Sequence, residues 1–207
     1  MRSPLLGSDA LPVTVTVTGR AFPIRHDFRD GIAFETLMFD RRVPDEAKVP
    51  IALDIWFGET WPDADLGAVI AAMLDFYACG KPQDGDEGGG QLYSYVYDYD
   101  LIYAAFLSAY GIDLFGCGEL HWWRFRAMLA ALPEDSQFMR VVGYRAVKIT
   151  TDMPKEQRSH LAKMKRLYAL PELASDRPVK LSTEQEYRDA IEAVKKAKRE
   201  GLVRCTS

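Results

Sequence analysis

Glu119-Leu120-His121-Trp122-Trp123-Arg124-Phe125-Arg126-Ala127-Met128-Leu129-Ala130-Ala131-Leu132 is the stretch on which the fold turns, and Pro133 closes it. It is an amphipathic segment of helical period, and a proline that can neither donate a backbone hydrogen bond nor fit against the preceding turn ends it. Taking this stretch as a helix makes the second half of the chain almost entirely helical. Just upstream, Asp98 is placed to cap a helix running to about Tyr110, with Leu101, Ile102, Ala105, Phe106 and Ala109 on one face and Gly111 ending it. Downstream, a shorter helix is expected over roughly 134–144. Thr151 or Asp152 would cap another beginning near Pro154, whose apolar stripe is Leu161, Met164, Leu167 and Tyr168. A last helix is expected from Ser182 to about Glu200, stopped by Gly201.

The first half reads differently. Val13-Thr14-Val15-Thr16-Val17-Thr18 alternates strictly, which puts valines on one face and threonines on the other, as a half-buried strand requires. Gly19-Arg20 is placed for a type II′ turn, and Ala21-Phe22-Pro23-Ile24 returns as the second strand of a hairpin. Two strands are not stable alone, so the hairpin must pack on helices or pair with another chain. Asp27 is a candidate N-cap for a helix to about Asp40, and Pro44 suits the first turn of the next. Pro50 predicts a break or kink in that second helix between Lys48 and Ile51. From Asp65 to Cys79, Leu66, Val69, Ile70, Met73, Leu74 and Tyr77 follow the helical spacing, and Gly80 is placed as the C′ stop.

The resulting expectation is a mainly α chain: an N-terminal β-hairpin plus helices, then an all-helical second part. The stretch 80–91 is too rich in glycine and acid to bury much surface, and it predicts a linker. The expected division is therefore 1–79, a linker at 80–91, a helical part at 92–171 with the aromatic cluster, and a basic C-terminal helix in 172–207.

Charge narrows the function. The net formal charge is −4, but residues 1–153 hold 13 basic against 22 acidic residues, net −9, while 154–207 hold 13 against 8, net +5. Between Val49 and Trp123 Lys81 is the only base against twelve acids, a composition that repels phosphate. Nucleic-acid binding by the body is not expected, and the tail's mixed charges read as a solvated helix face. No window approaches the length of apolar chain that a membrane span needs, so no membrane partner is expected. Cys79, Cys117 and Cys205 are odd in number, widely separated and without metal-ligand spacing. That predicts neither a disulfide framework nor a zinc site, and fits a reducing cytoplasm.

Catalytic patterns fail one by one. His121 follows Cys117 by four residues, but no orienting group or oxyanion site accompanies the pair. Asp84-Gly85-Asp86-Glu87 lacks the ligand spacing of a calcium loop. Asp98 and Asp100 would point to different faces of a helix, so capping accounts for them better than paired acid–base work. Gly80-Lys81 is followed by proline, and Gly116-Cys117-Gly118 lacks the third glycine of a dinucleotide fingerprint. No enzyme activity, cofactor or metal is expected. What remains is aromatic density. Neighbouring helical residues point about 100° apart, so one of Trp122 and Trp123 can enter the core while the other lies at its edge. The plainer reading buries both indoles. The sharper one makes the cluster an interface anchor.

The wording of these stretches carries a resemblance. Tyr97-Asp98-Tyr99-Asp100, Leu101-Ile102-Tyr103-Ala104-Ala105-Phe106, Tyr110-Gly111-Ile112-Asp113-Leu114, Leu120 to Phe125, Leu132-Pro133-Glu134-Asp135, Gly143-Tyr144-Arg145 and Leu167-Tyr168-Ala169-Leu170-Pro171 resemble the phage gene-product-fifteen family. Upstream, Phe22-Pro23-Ile24, Asp27-Phe28-Arg29 and Asp75 to Lys81 are similar too, so the likeness covers about residues 10 to 171. The resemblance implies a non-enzymatic tail assembly chaperone in the host cell cytoplasm. It would hold the tape-measure protein until tail-tube subunits polymerise around it, with a self-associating first part that could form a homo-oligomer. On that view Tyr110, Trp122, Trp123, Phe125 and Tyr168 are candidate partner-binding residues in an aromatic groove, and Val13, Val15, Val17 and Phe22 are candidate self-association residues of the hairpin. The other expectation is a structural tail protein retained in the virion, with the hairpin making subunit contacts.

Overall fold

The alternating valines and threonines do form a strand. In this computed structural model, which describes residues 10–81 and 91–171, β1 (Thr14–Val17) pairs antiparallel with β2 (Arg20–Pro23). Val15 lies opposite Phe22 and Val17 opposite Arg20. Val15 and Val17 are buried and Thr14 and Thr16 exposed, as the alternation requires, but Val13 lies outside the strand and is exposed. The turn is shifted by one residue from its expected place. Its two central residues are Thr18 and Gly19, both at positive φ (47° and 81°), as a type I′ turn demands. Arg20 therefore pairs in the ladder instead of turning.

Seven helices follow among the described residues: α1 (Phe28–Phe39), α2 (Asp45–Phe57), α3 (Leu66–Tyr77), α4 (Tyr99–Tyr110), α5 (Trp122–Ala130), α6 (Gln137–Ala146) and α7 (Lys155–Leu167). The chain is mainly α, with the hairpin first. No described helix is long and apolar enough to cross a membrane. The expected last helix, Ser182 to Glu200, lies outside the described residues, as do most of the 80–91 linker and the whole 172–207 tail.

Several helix ends are set by local chemistry. Asp27 accepts the Arg29 amide at 3.0 Å and so caps α1, and Asp65 caps α3 through the Ala68 amide at 2.9 Å. Ser136 caps α6 by accepting from the Met139 amide at 3.2 Å, which starts that helix later than 134. Neither Thr151 nor Asp152 caps α7. Pro154 occupies the N-cap position with no side-chain bond, and the Thr150 hydroxyl holds the Asp152 carboxyl below its ordinary value instead. Pro50 does not break α2, which runs through it unbroken with the ring buried beside Ala47, Leu53 and Trp56 in the same helix. The bond it forfeits would have gone to the Glu46 carbonyl, which belongs to an exposed first-turn residue that water can serve.

The end of α3 also differs from expectation. The Gly80 amide donates to the Asp75 carbonyl at 2.9 Å and the Cys79 amide to the Phe76 carbonyl at 3.0 Å, the two bonds of a Schellman cap. The left-handed C′ position is thus taken by Cys79 (φ 61°), with Gly80 (φ 64°) one residue beyond. A residue with a Cβ is strained there, so Cys79→Gly is expected to raise stability by about 0.5–1 kcal/mol. Urea unfolding of the variant checks this, and a midpoint at or below that of the parent would show that the cysteine's packing outweighs its strain.

The described residues form two compact units. One comprises 13–25 and 33–74. Its core holds Val15, Val17, Ile24, Phe34, Leu37, Leu53, Trp56, Val69 and Met73. The Phe34 and Trp56 rings meet at 5.8 Å, and the Arg25 amide donates to the Trp56 carbonyl at 2.8 Å. The other comprises 10–12, 26–32, 75–81 and 91–171, with Phe28, Phe76, Ile102, Phe106, Trp122, Phe125, Leu129, Phe138 and Val141 buried. The contacts therefore do not divide at residue 79. Short first-half segments belong with the second-half helices because α5 holds them, as its side chains show.

Candidate functional site

His121 stands at the N-cap of α5. Its Nδ1 accepts the Trp123 amide at 3.0 Å, and its Nε2 lies 2.9 Å from the Pro12 carbonyl. A neutral ring with the proton on Nε2 satisfies both contacts. Burial, first of all, holds the His121 pKa below its ordinary 6.5, against the pull of the Pro12 carbonyl. Far from a bystander, His121 also bridges Asp27 in an antiparallel backbone pair, and the Phe28 amide donates to the Leu120 carbonyl at 2.8 Å.

Both tryptophans after it are buried, Trp122 at 0% exposure and Trp123 at 7%. The reason is that each indole N–H finds a carbonyl inside. Trp122 Nε1 donates to Tyr77 at 3.0 Å and Trp123 Nε1 to Phe76 at 2.8 Å, both at the end of α3. Trp122 stacks on Tyr77 and Phe125, and Phe125 in turn on Phe28 and Phe106, with centroids 5.0–5.9 Å apart. Gly80 abuts the Trp123 ring, since a Cβ there would lie 3.3 Å from Cη2. The groove expected from Trp122, Trp123 and Phe125 is therefore a filled core in the folded chain. Tyr110 is half-buried and donates its hydroxyl to the Met128 carbonyl at 2.8 Å. Tyr168 is half-buried and stacks on Tyr144 at 5.8 Å. The structure thus brings Tyr110, Trp122, Trp123, Phe125 and Tyr168 into one unit as packing residues, the first four at α5 and Tyr168 beside α6. The hairpin residues Val15 and Val17 are likewise core, and only Val13 and part of Phe22 reach the surface.

Two features escaped the sequence reading. Asp98 is at the N-cap of α4 but makes no cap bond with its side chain. It forms a two-pronged ion pair with Arg145 at 2.7 and 2.8 Å, with the two side chains only 4% and 10% exposed. Arg145 also donates to the Tyr168 carbonyl at 2.6 Å and the Leu92 carbonyl at 3.0 Å. Nothing local to either residue signals a partner 47 positions away.

The second feature is on the open side of α4. Tyr99, Tyr103 and Leu107 recur every four residues, with Tyr99 58% and Leu107 44% exposed. Phe115, 73% exposed, sets its ring against Tyr103 at 5.0 Å, and Val96 and Tyr97 just before the helix are exposed too. The core face of α4 is instead Ile102, Ala105 and Phe106. A signal for this was in the sequence: α4 has apolar residues left over after its core stripe is filled, and a helix apolar on a second face has a second surface to cover.

Fold and site together define a class, a mainly helical chain with a buried aromatic hub and an exposed aromatic helix face. The sequence matches the family described as Bacteriophage Gp15 protein over residues 8–170, and the chain belongs to that family. Membership makes it a bacteriophage protein and suggests a structural or morphogenesis role. No curated protein and no solved structure gives a match.

Proposed function

We propose that this chain is a non-enzymatic tail assembly chaperone that works in the host cell cytoplasm. It holds the tape-measure protein and helps recruit tail-tube subunits. The exposed stripe of Tyr99, Tyr103 and Leu107 with Phe115 carries this reading, because it can receive the apolar face of a helical partner. Family membership agrees with it. The docking face is assigned to α4 because the Trp122–Trp123 hub is closed.

Co-expression with the tape-measure protein tests the proposal. The parent chain should keep that protein soluble and co-purify with it, and Phe115→Asp combined with Leu107→Asp should lower the co-purified amount at least about tenfold, the loss of roughly 1.4 kcal/mol or more. Both changes are at exposed positions, so circular dichroism should be unchanged. A tape-measure protein that stays soluble without this chain would sink the chaperone role, while undiminished capture by the double variant would remove only the α4 face.

A second reading rests on the hairpin. Its sheet has two strands among the described residues, so strand addition between copies or subunits is open to it. On that reading the protein is a structural tail component, present in purified particles in stoichiometric amount by mass spectrometry. A chaperone would be absent or present in traces.

A further inference from the structure

The geometry points to a pH-sensitive cap, in which protonation of His121 loosens the first turn of α5 and the two indoles it carries. Both nitrogens of the His121 ring are engaged. Nδ1 accepts the Trp123 amide, and Nε2 faces the Pro12 carbonyl. A second proton has only Nδ1 to occupy, and there it meets the Trp123 N–H donor head-on. The cap bond is lost, while the Nε2–H contact to Pro12 survives. The ring would thus exchange a grip on α5 for a tighter hold on the segment ending at Pro12.

The surroundings set the sensitivity. His26 meets His121 edge-on at 5.2 Å, and its Nε2 lies 2.9 Å from the Glu119 carboxylate. Arg124 on α5 and a charged His26 oppose a charge on His121, whereas Glu119 favours it. Asp27, paired with His121 through the backbone, has its carboxylate engaged by Arg29 and the Leu120 amide. From the end of α3 the facing group is the Phe76 ring, at 5.9 Å. Trp123 Nε1 is held by the Phe76 carbonyl, so fraying of the first turn loosens an indole from α3. With the folded pKa below the unfolded one, the cap's contribution is complete above about pH 6.5 and declines as pH falls towards the folded value.

Amide exchange at Trp123, normalised to intrinsic rates and followed from about pH 7.5 to about pH 5 with tryptophan fluorescence alongside, tests the inference. Protection of the Trp123 amide should fall roughly fivefold, the factor a side-chain cap is worth, with a reversible change in emission. His121→Asn, whose side chain can cap but not titrate, should hold its protection flat. His26→Gln, at a partly exposed position, should move the midpoint upwards, since His26 is one of the groups that hold the His121 pKa down. Flat protection in the parent chain, a transition retained in His121→Asn, or an unmoved midpoint in His26→Gln would overturn the device.

Discussion

Arg145→Ala is expected to lower stability by about 3–5 kcal/mol, the cost of leaving a buried charge without its partner. The guanidinium makes four bonds, two to Asp98 and one each to the carbonyls of Tyr168 and Leu92. Once it is gone, the Asp98 carboxylate keeps the Ser94 amide at 2.9 Å as its remaining bond to a donor here. Two carbonyls also lose a donor, one just after α7 and one before α4. Lysine does not restore this arrangement, because a single ammonium cannot serve both carboxylate oxygens and two carbonyls in a plane. Arg145→Lys should therefore sit close to Arg145→Ala. Replacing both charges, Arg145→Met with Asp98→Leu, should recover most of the loss, since the penalty lies in the orphaned charge and not in the missing attraction. Urea unfolding read as a shift in midpoint at constant slope measures all three. An Arg145→Ala variant within about 1 kcal/mol of the parent would show that water reaches Asp98 and that the pair behaves as a surface one.

What the sequence revealed and what it hid follow one physical division. Periodic burial is local information, and it was legible. The strand alternation at Val15 and Val17, the core positions Val69 and Met73 of α3, and Ile102, Ala105 and Phe106 of α4 all fall where the spacing puts them. The hairpin turn slipped by one residue because the alternation runs through Thr18 without a marker. Only the register, with Val15 opposite Phe22, fixes its end. Partners distant in sequence were not legible. Asp98 reads as a cap until Arg145 arrives from α6. His121 reads as idle until the Pro12 carbonyl and the Trp123 amide both meet its ring. For the tryptophan pair the plainer reading holds, with both indoles buried; what the sequence does not show is the means, the two carbonyls at the end of α3 that accept their N–H groups. The face that stayed open on α4 was readable as surplus, but only after its core stripe had been assigned.

The closest approach in the hub supplies the second large effect. Gly31, in α1, has no space for a side chain, because a Cβ there would fall within the Trp122 indole. That ring cannot move aside. Tyr77 stacks on it at 5.7 Å and Phe125 at 5.9 Å, its N–H is fixed on the Tyr77 carbonyl, and the Arg126 guanidinium lies 5.4 Å from its centroid. Two opposed effects therefore act on Gly31→Ala. Helix propensity favours alanine by about 1 kcal/mol, and overpacking costs about 1–3 kcal/mol or more where nothing can give. With the ring pinned, overpacking wins and the variant is destabilised. Trp122→Ala should by itself cost about 3–5 kcal/mol through the cavity it leaves. In that background the obstruction is gone, so Gly31→Ala should change sign and stabilise, recovering the propensity term and filling part of the void. The double-mutant cycle isolates the coupling. An equal cost for Gly31→Ala in both backgrounds would place the strain in the α1 backbone and not against the indole. A reversal of sign would establish that the cost at Gly31 comes from the Trp122 ring it abuts.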